Sequence, residues 1–320
     1  MAENTEIVKG TSLWKDAWRR LLKNKLAVFG LIVLAFMVIA VSLGPPIIYW
    51  LTGLTADYIP KDGDLIKSFP PSMQHPMGTD EAGRDMLARV LQGGRISLMV
   101  GIISTCVSLI VGVSYGAIAG YMGGKIDNLM MRIVDIIYAI PYILIVIVLL
   151  AVFGGTNTPG WIKSLADNFG GTSSASLSQI FLLFFALGLV SWLTMARVVR
   201  GQILSLKNQE FVLAARATGV STPAIIFRHL VPNALGPVIV YATLTVPSVM
   251  LTEAFLSFLG LGVQAPYASW GSLAADGIKN IAIYPWQMIF PGVTMALTLF
   301  SLNFLGDGLR DALDPQTRKF

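Results

Sequence analysis

Long apolar runs separated by short polar segments dominate this chain. A helix that crosses the hydrocarbon core of a bilayer needs about 20 mostly apolar residues. Six windows meet that condition. The first runs from Leu26 to about Trp50, and the second from Ile96 to Gly124. The third begins at Ile136 and ends near Gly154. The fourth lies between Asn168 and Ala196, its apolar part starting near Leu177. The fifth begins at His229 and passes Thr252 towards Leu259, and the sixth covers Ile281 to Gly306. The pattern predicts an all-α integral membrane protein with six transmembrane helices. The first run is too long for a signal-peptide core, and Gly44-Pro45-Pro46 stands where a small-residue cleavage site would follow.

The segments between the runs set the organisation. Residues 1–25 form an N-terminal segment, 26–50 the first span and 51–95 a long polar connection. Residues 96–306 form a five-helix core containing the loop 207–232, and 307–320 form a tail. The connection 51–95 carries Asp57, Asp62, Asp64, Asp80, Glu81 and Asp85, so it is expected to be polar and solvated. Pro60, Pro70, Pro71 and Pro76 argue against one continuous helix there. Gly155 to Ser178 is rich in Gly, Ser, Thr and Asn and reads as an irregular loop. With six spans both termini share a side. Of the 23 Lys and Arg, 16 fall on the side of the termini and 7 on the other. Lys and Arg favour the cytoplasmic side, so both termini are expected to be cytoplasmic.

Composition agrees with this picture: 54% of residues are hydrophobic and 13% charged, against about 25% charged in soluble domains. The net charge of +5 follows from the loop bias and needs no nucleic acid. The single cysteine, Cys106, excludes a disulfide framework or a cysteine metal site, and reads as a small side chain in a packed helix. Gly112, Gly116 and Gly120 recur every four residues, which predicts close helix packing. Pro141, Pro247 and Pro291 lie within or at the ends of spans, where each can kink its helix.

No catalytic or metal-binding set emerges. His75 and His229 fall on opposite sides of the predicted topology. Ala119 to Ile126 approaches a phosphate loop but has Ala119 for the first glycine and Ile126 for the magnesium-binding hydroxyl, so it reads as a turn. Two readings fit Glu253: a residue of a translocation path, or a carboxylate that packs between helices near the outer interface.

The loop between the fourth and fifth spans is the most informative segment. Lys207 to Ala217 reads as a helix stopped by Gly219. Ser221 or Thr222 can cap a second short helix, with Pro223 in its first turn, before Pro232 opens the fifth span. The two helices are expected to lie across the spans and to present Ala214, Ala215 and Gly219. A partner protein and a lipid surface are both fitting occupants.

At this point the chain resembles a family. Ala214-Ala215, Gly219 and Pro232 keep the spacing of the Glu-Ala-Ala…Gly motif in the membrane subunits of bacterial ABC importers. Leu213 stands where that motif has its acidic residue, with Glu210 three positions earlier, and His229 and Val231 replace its Ile and Leu. His75 to Asp85, Phe211 to Gly219, Phe227 to Asn233, Glu253 to Gly262 and Gly306 to Pro315 are similar to the C-type permeases of oligopeptide importers. The resemblance runs from about Leu13 to the C-terminus and covers relatives that import dipeptides, nickel or glutathione.

The resemblance implies a type I ABC importer transmembrane domain in a bacterial inner membrane. It implies four kinds of contact: a B-type permease, two ATPase subunits, an external peptide-binding protein and membrane lipid. Glu210, Ala214, Ala215, Gly219, Ser221, Pro223 and Pro232 would belong to the ATPase-coupling loop. ATP and magnesium would sit on the partner subunits, with no cofactor, metal or catalytic residue on this chain. The rival classes are an ion-coupled secondary transporter, which needs more mid-membrane charge, and a membrane-embedded enzyme, which needs a catalytic cluster.

Overall fold

The computed structural model describes residues 13–53, 55–59, 68–170 and 174–313. Expectations for Lys9, Pro60, Asp62 and Asp64, and for the tail from Asp314, fall outside them. The described chain is helical, with an isolated bridge between Thr79 and Asp85. The helices are α1 (Leu13–Leu21), α2 (Lys25–Thr52), α3 (Met86–Met122), α4 (Gly124–Ala139), α5 (Tyr142–Phe153), α6 (Gly160–Gly170) and α7 (Ser174–Leu206). They continue as α8 (Glu210–Ala217), α9 (Thr222–Ala224), α10 (Val231–Phe258), α11 (Trp270–Lys279) and α12 (Trp286–Leu313). A wider π turn, Ile225–Leu230, joins α9 to α10.

Five of these elements are long and apolar enough to cross a membrane: α2, α3, α7, the continuous run Thr222–Phe258, and α12. The sixth is a broken pair. α4 and α5 meet at 86°, a sharp break at the proline where the sequence predicted a kink. Pro141 offers no N–H, and it pushes Ile140 into extended backbone, φ −83°, ψ 130°. α5 has 12 residues, about 18 Å of helix, which is short of the roughly 30 Å hydrocarbon core. Pro247 and Pro291 lie inside continuous helices.

The glycine stripe of α3 lies on α7. A Cβ on Gly112 would come 2.7 Å from Cβ of Met195, and one on Gly120 would come 2.9 Å from the carbonyl of Arg200. Between them, a Cβ on Gly116 would overlap the carbonyl oxygen of Ala196. The two backbones therefore meet without intervening side chains, as the spacing predicted. Arg200 of α7 grips buried Asp127 of α4 through two hydrogen bonds of 2.5 and 2.7 Å. Cys106, expected in a packed position, is exposed on the outer surface of α3.

The two described ends lie together. Ala17 and Leu21 of α1 cluster with Ala27 of α2 and with Leu309 and Ala312 of α12. This puts α1 and the end of α12 on one side, together with the α3–α4 turn and α8, since each successive crossing reverses direction.

The connection 51–95 departs from its expectation as a solvated segment. α3 begins at Met86, ten residues before the predicted span, because Asp85 caps it by accepting from the N–H of Ala88 at 2.8 Å. Residues 68–85 fold against the α11–α12 junction. The carbonyl of Thr79 accepts from the Trp286 indole at 3.1 Å and the Gln287 amide at 3.0 Å. Asp80 accepts from the backbone N–H groups of Ala82 and Arg84, both at 2.9 Å. It also accepts from the guanidinium groups of Arg84 at 2.7 Å and Arg89 at 2.5 Å. Asp80, Asp85 and Arg89 are thus buried with partners, while Asp57 and Glu81 stay exposed. Gly155 to Ser178 is likewise more ordered than expected, since it contains α6 and the first turn of α7. Trp161 of α6 meets Phe185 of α7 edge to face at 4.6 Å.

Candidate functional site

The loop 207–232 is a rigid projection with a buried foot. α8 starts after extended Gln209, with Glu210 in its first turn, where a carboxylate opposes the helix dipole favourably. It stops in a Schellman motif. The N–H of Val220 donates to Ala215 and that of Gly219 to Arg216, both at 3.0 Å, with Gly219 at φ +78°. This is the stop expected from the sequence.

Val212 and Ala215, three residues apart, turn inward. They join Ile225, Ile226 and Leu230, with Val199 and Ile203 of α7, in one buried cluster. Two bonds tie the loop to the end of α3. Lys207 donates to the carbonyl of Gly120 at 3.1 Å, and Arg216 lies over the Tyr121 ring, 5.0 Å from its centre.

What remains outside is small or apolar. Leu213 is 51% exposed, Phe227 48% and Phe211 39%, and Ala214, Ala217 and Gly219 are exposed beside them. Ala215, expected to be presented together with Ala214, is instead part of the foot. The helical period explains the split: adjacent residues point about 100° apart, so only one of the two can face out.

The second half of the loop also differs from expectation. Ser221 stands at the start of α9 and its carbonyl accepts from Ile225 at 2.9 Å, but its side chain makes no capping bond. Pro223 sits in the first turn, as predicted. There is no separate second helix ending at Pro232, because Thr222 to Phe258 form one continuous run. Pro232 cannot donate to the carbonyl four residues back and its ring crowds that carbonyl. The helix widens there: the N–H of Val231 reaches Ile226, five residues back. The side-chain amide of Asn233 donates to the carbonyl of His229 at 2.6 Å. Glu210 and Pro232 are both exposed, and Glu210 caps nothing through its side chain.

Glu253 is placed inside the fold. It is 1% exposed, and one carboxylate oxygen accepts from Ser257 and Ser269, both at 2.7 Å. Ser269 also caps α11 by accepting from the N–H of Ser272. Glu253 thus ties the outer end of α10 to the start of α11, and lies off the wall of the cavity described next. The near phosphate loop is a helix-to-helix turn. Residues 119–122 complete α3, and Gly123 and Gly124 reverse the chain at φ +65° and +54°. Among the described residues no three His, Cys, Asp or Glu side chains are placed to hold a metal ion.

Sequence reading missed a cavity of about 340 Å³ where α4 and α5 bend against α7 and α10. Hydroxyl residues line it: Tyr138, Tyr142, Ser191, Thr194, Ser248 and Thr252. Each is a lone polar residue in an apolar run, a weak signal until the 86° bend gathers them.

Comparison with known proteins agrees with this architecture. Residues 112–319 match the family described as "Binding-protein-dependent transport system inner membrane component". Residues 12–76 match the N-terminal TM domain of oligopeptide transport permease C. The chain is 47% identical over 313 residues to the oligopeptide transport system permease protein OppC of Haemophilus influenzae, spanning 97% of this chain and 91% of that one. It is 46% identical over 314 residues to OppC of Escherichia coli K12, spanning 97% and 94%. It is 43% identical over 309 residues to the dipeptide transport system permease protein DppC of Bacillus subtilis, spanning 96% and 87%. With a family match over most of its length and these relatives along nearly all of it, the chain belongs to the inner-membrane components of binding-protein-dependent transport systems.

Proposed function

We propose that this chain is the membrane-spanning permease subunit of an ATP-driven importer that carries peptides, oligopeptides above all, into the cytoplasm. The observation that carries this reading is the projection 207–232: an exposed ridge of Phe211, Leu213, Ala214 and Phe227 on a foot packed into the spans. A movement imposed on the ridge is handed directly to α7 and α10, because Val212 and Ala215 share one cluster with Val199, Ile203 and Ala234. The names of the relatives support peptide as cargo.

The ridge faces an ATPase subunit, and ATP and magnesium are held by that partner rather than by this chain. The chain performs no covalent chemistry. A second, B-type permease completes the pathway, two ATPases drive it and an external binding protein delivers the peptide. Both termini and the ridge lie in the cytoplasm, in keeping with the basic residues gathered on that side.

Replacing Ala214 by Trp tests this. The residue is exposed, so the subunit is expected to fold with its thermal midpoint unchanged. Co-purification with the ATPase subunits should fall at least tenfold and ATP-dependent peptide uptake should be lost. Normal assembly with normal uptake would refute docking through the ridge. A gentler change gives a graded check. Gly219→Ala places a Cβ in open space but strains φ +78°. It should lower stability by about 1 kcal/mol and weaken assembly less than Ala214→Trp.

A further inference from the structure

We infer that the cavity at the α4–α5 bend is this chain's share of the translocation path, and that it holds the main chain of the peptide through neutral hydroxyl groups. The inference rests on the peptide-import reading and adds to it which residues meet the cargo and which part of the cargo they read.

Four observations lead there. First, the backbone is broken at this point. Among the described residues no backbone hydrogen bond joins α4 to α5; the bonds at the bend are Ile140 to Ile137 and Leu144 and Ile145 to Pro141. Uncapped backbone at membrane depth is tolerated where it is buried in protein or lines a wet cavity, and not against lipid. Second, hydroxyls are exposed here. Tyr138 and Tyr142 are about half exposed, and Ser248 is exposed. Ser191 and Thr252 donate to carbonyls of their own helices, at 2.9 and 3.0 Å, which leaves their oxygens able to accept. A helix face meant for lipid has no use for such a set.

Third, no charged residue lines the cavity. The nearest pair, Arg197 and Asp135, bond to each other at 2.8 Å, with Arg197 stacked 4.3 Å from the centre of the Tyr138 ring. A hydroxyl both donates and accepts. It therefore matches a peptide group, which carries one N–H and one C=O, and has no preference for a side-chain charge. Fourth, the remaining wall is aliphatic, with Ile137, Ile145, Val146, Leu187 and Val190. Such a wall accepts varied side chains without selecting among them. These features suit a cargo defined by its backbone. They do not suit an ion, which would need charged or fully converging ligands.

The test uses the complete transporter in proteoliposomes with ATP inside. Uptake is measured for three tripeptides with neutral, cationic and aromatic side chains, and for the neutral tripeptide with its central amide N-methylated. The variants are Ser248→Ala, Thr252→Val and Tyr142→Phe. Each removes one hydroxyl and little volume. Each should lower uptake of all three peptides by about five- to tenfold, since one hydrogen bond contributes about 1 kcal/mol. The wild type's preference over the N-methylated peptide should shrink in step. Assembly should stay within twofold.

A second readout does not depend on these substitutions. Cys106 is the one cysteine, so Cys106→Ser gives a cysteine-free background, and Ser248→Cys is added to it. A polar thiol reagent should label this variant during turnover, and excess tripeptide should protect it at least threefold. Unchanged uptake in all three hydroxyl variants, or labelling indifferent to peptide, would overturn the inference while leaving peptide import intact. Losses confined to one side-chain class would also overturn it, since the wall would then read side chains. If the wild-type complex took up no tripeptide at all, the import reading itself would fall.

Discussion

Replacing Gly116 with Leu should separate the two central helices and leave little folded subunit. The Cα of Gly116 faces the backbone of α7 so closely that even a methyl group would overlap the carbonyl of Ala196. The nearest atoms are backbone, so no rotamer change relieves the clash. α3 must move, and it also carries Gly112 and Gly120 in contact with the same helix. Overpacking of this kind costs at least about 3 kcal/mol. For a chain of this size the thermal midpoint in detergent should drop by about 5–10 °C. The matched control is Gly201→Ala on α7, where a Cβ meets nothing within 4 Å. That change should hold stability or raise it by about 0.5–1 kcal/mol, because alanine loses less backbone freedom in a helix. Equal midpoints for both variants would show that α3 and α7 do not meet along the glycine stripe.

The second large effect is expected at Asp80. Its carboxylate receives four donors, among them the guanidinium of Arg89, which is 7% exposed. Asp80→Ala leaves the buried Arg89 without its hydrogen-bonded carboxylate, a change that costs about 3–5 kcal/mol. The segment 68–85 should then come away from Trp286 and Gln287. Its amides should exchange faster with solvent, and proteases should cut it from the outer side. Asp80→Ala combined with Arg89→Met should recover part of the loss, because the second change removes the stranded charge. If the double variant were worse than Asp80→Ala by the full cost of a second lesion, the two residues would not be acting as a pair.

Asp80 also shows why the outer segment was misread. Six carboxylates and four prolines in 51–95 read as solvent-facing chain when each residue is weighed alone. Burial of Asp80, Asp85 and Arg89 depends on partners nine to twelve positions away: Arg89 on Asp80, His75 on Asp85 and Ser68 on the Asp80 carbonyl. Sequence distance hides such pairs. The break in the third span was hidden for a related reason. Its apolar length was legible, and so was Pro141, but a proline can end, bend or simply ride in a helix. Pro247 and Pro291 ride in theirs. At Pro141 the following segment turns by 86° and is held there by the cluster of Val146, Leu183 and Leu187.

The loop 207–232 was more legible because its rules are local. A glycine at the helix end, a proline in a first turn and small residues at fixed spacing act within a few residues. What local rules left open was the division of Ala214 from Ala215, which depends on where α7 and α10 lie, and the fate of the second helix, which became the start of the fifth span.

By itself, then, the sequence determined the membrane class, the apolar windows, the glycine seam and the stop at Gly219. Each follows from hydropathy over a window or from backbone limits within one turn. Only the tertiary structure decided that Asp80 and Asp85 are buried with partners, that Glu253 joins α10 to α11, and that six separate hydroxyls meet at one bend. Those facts depend on residues far apart in the chain, and a bond between them exists only once the helices have packed.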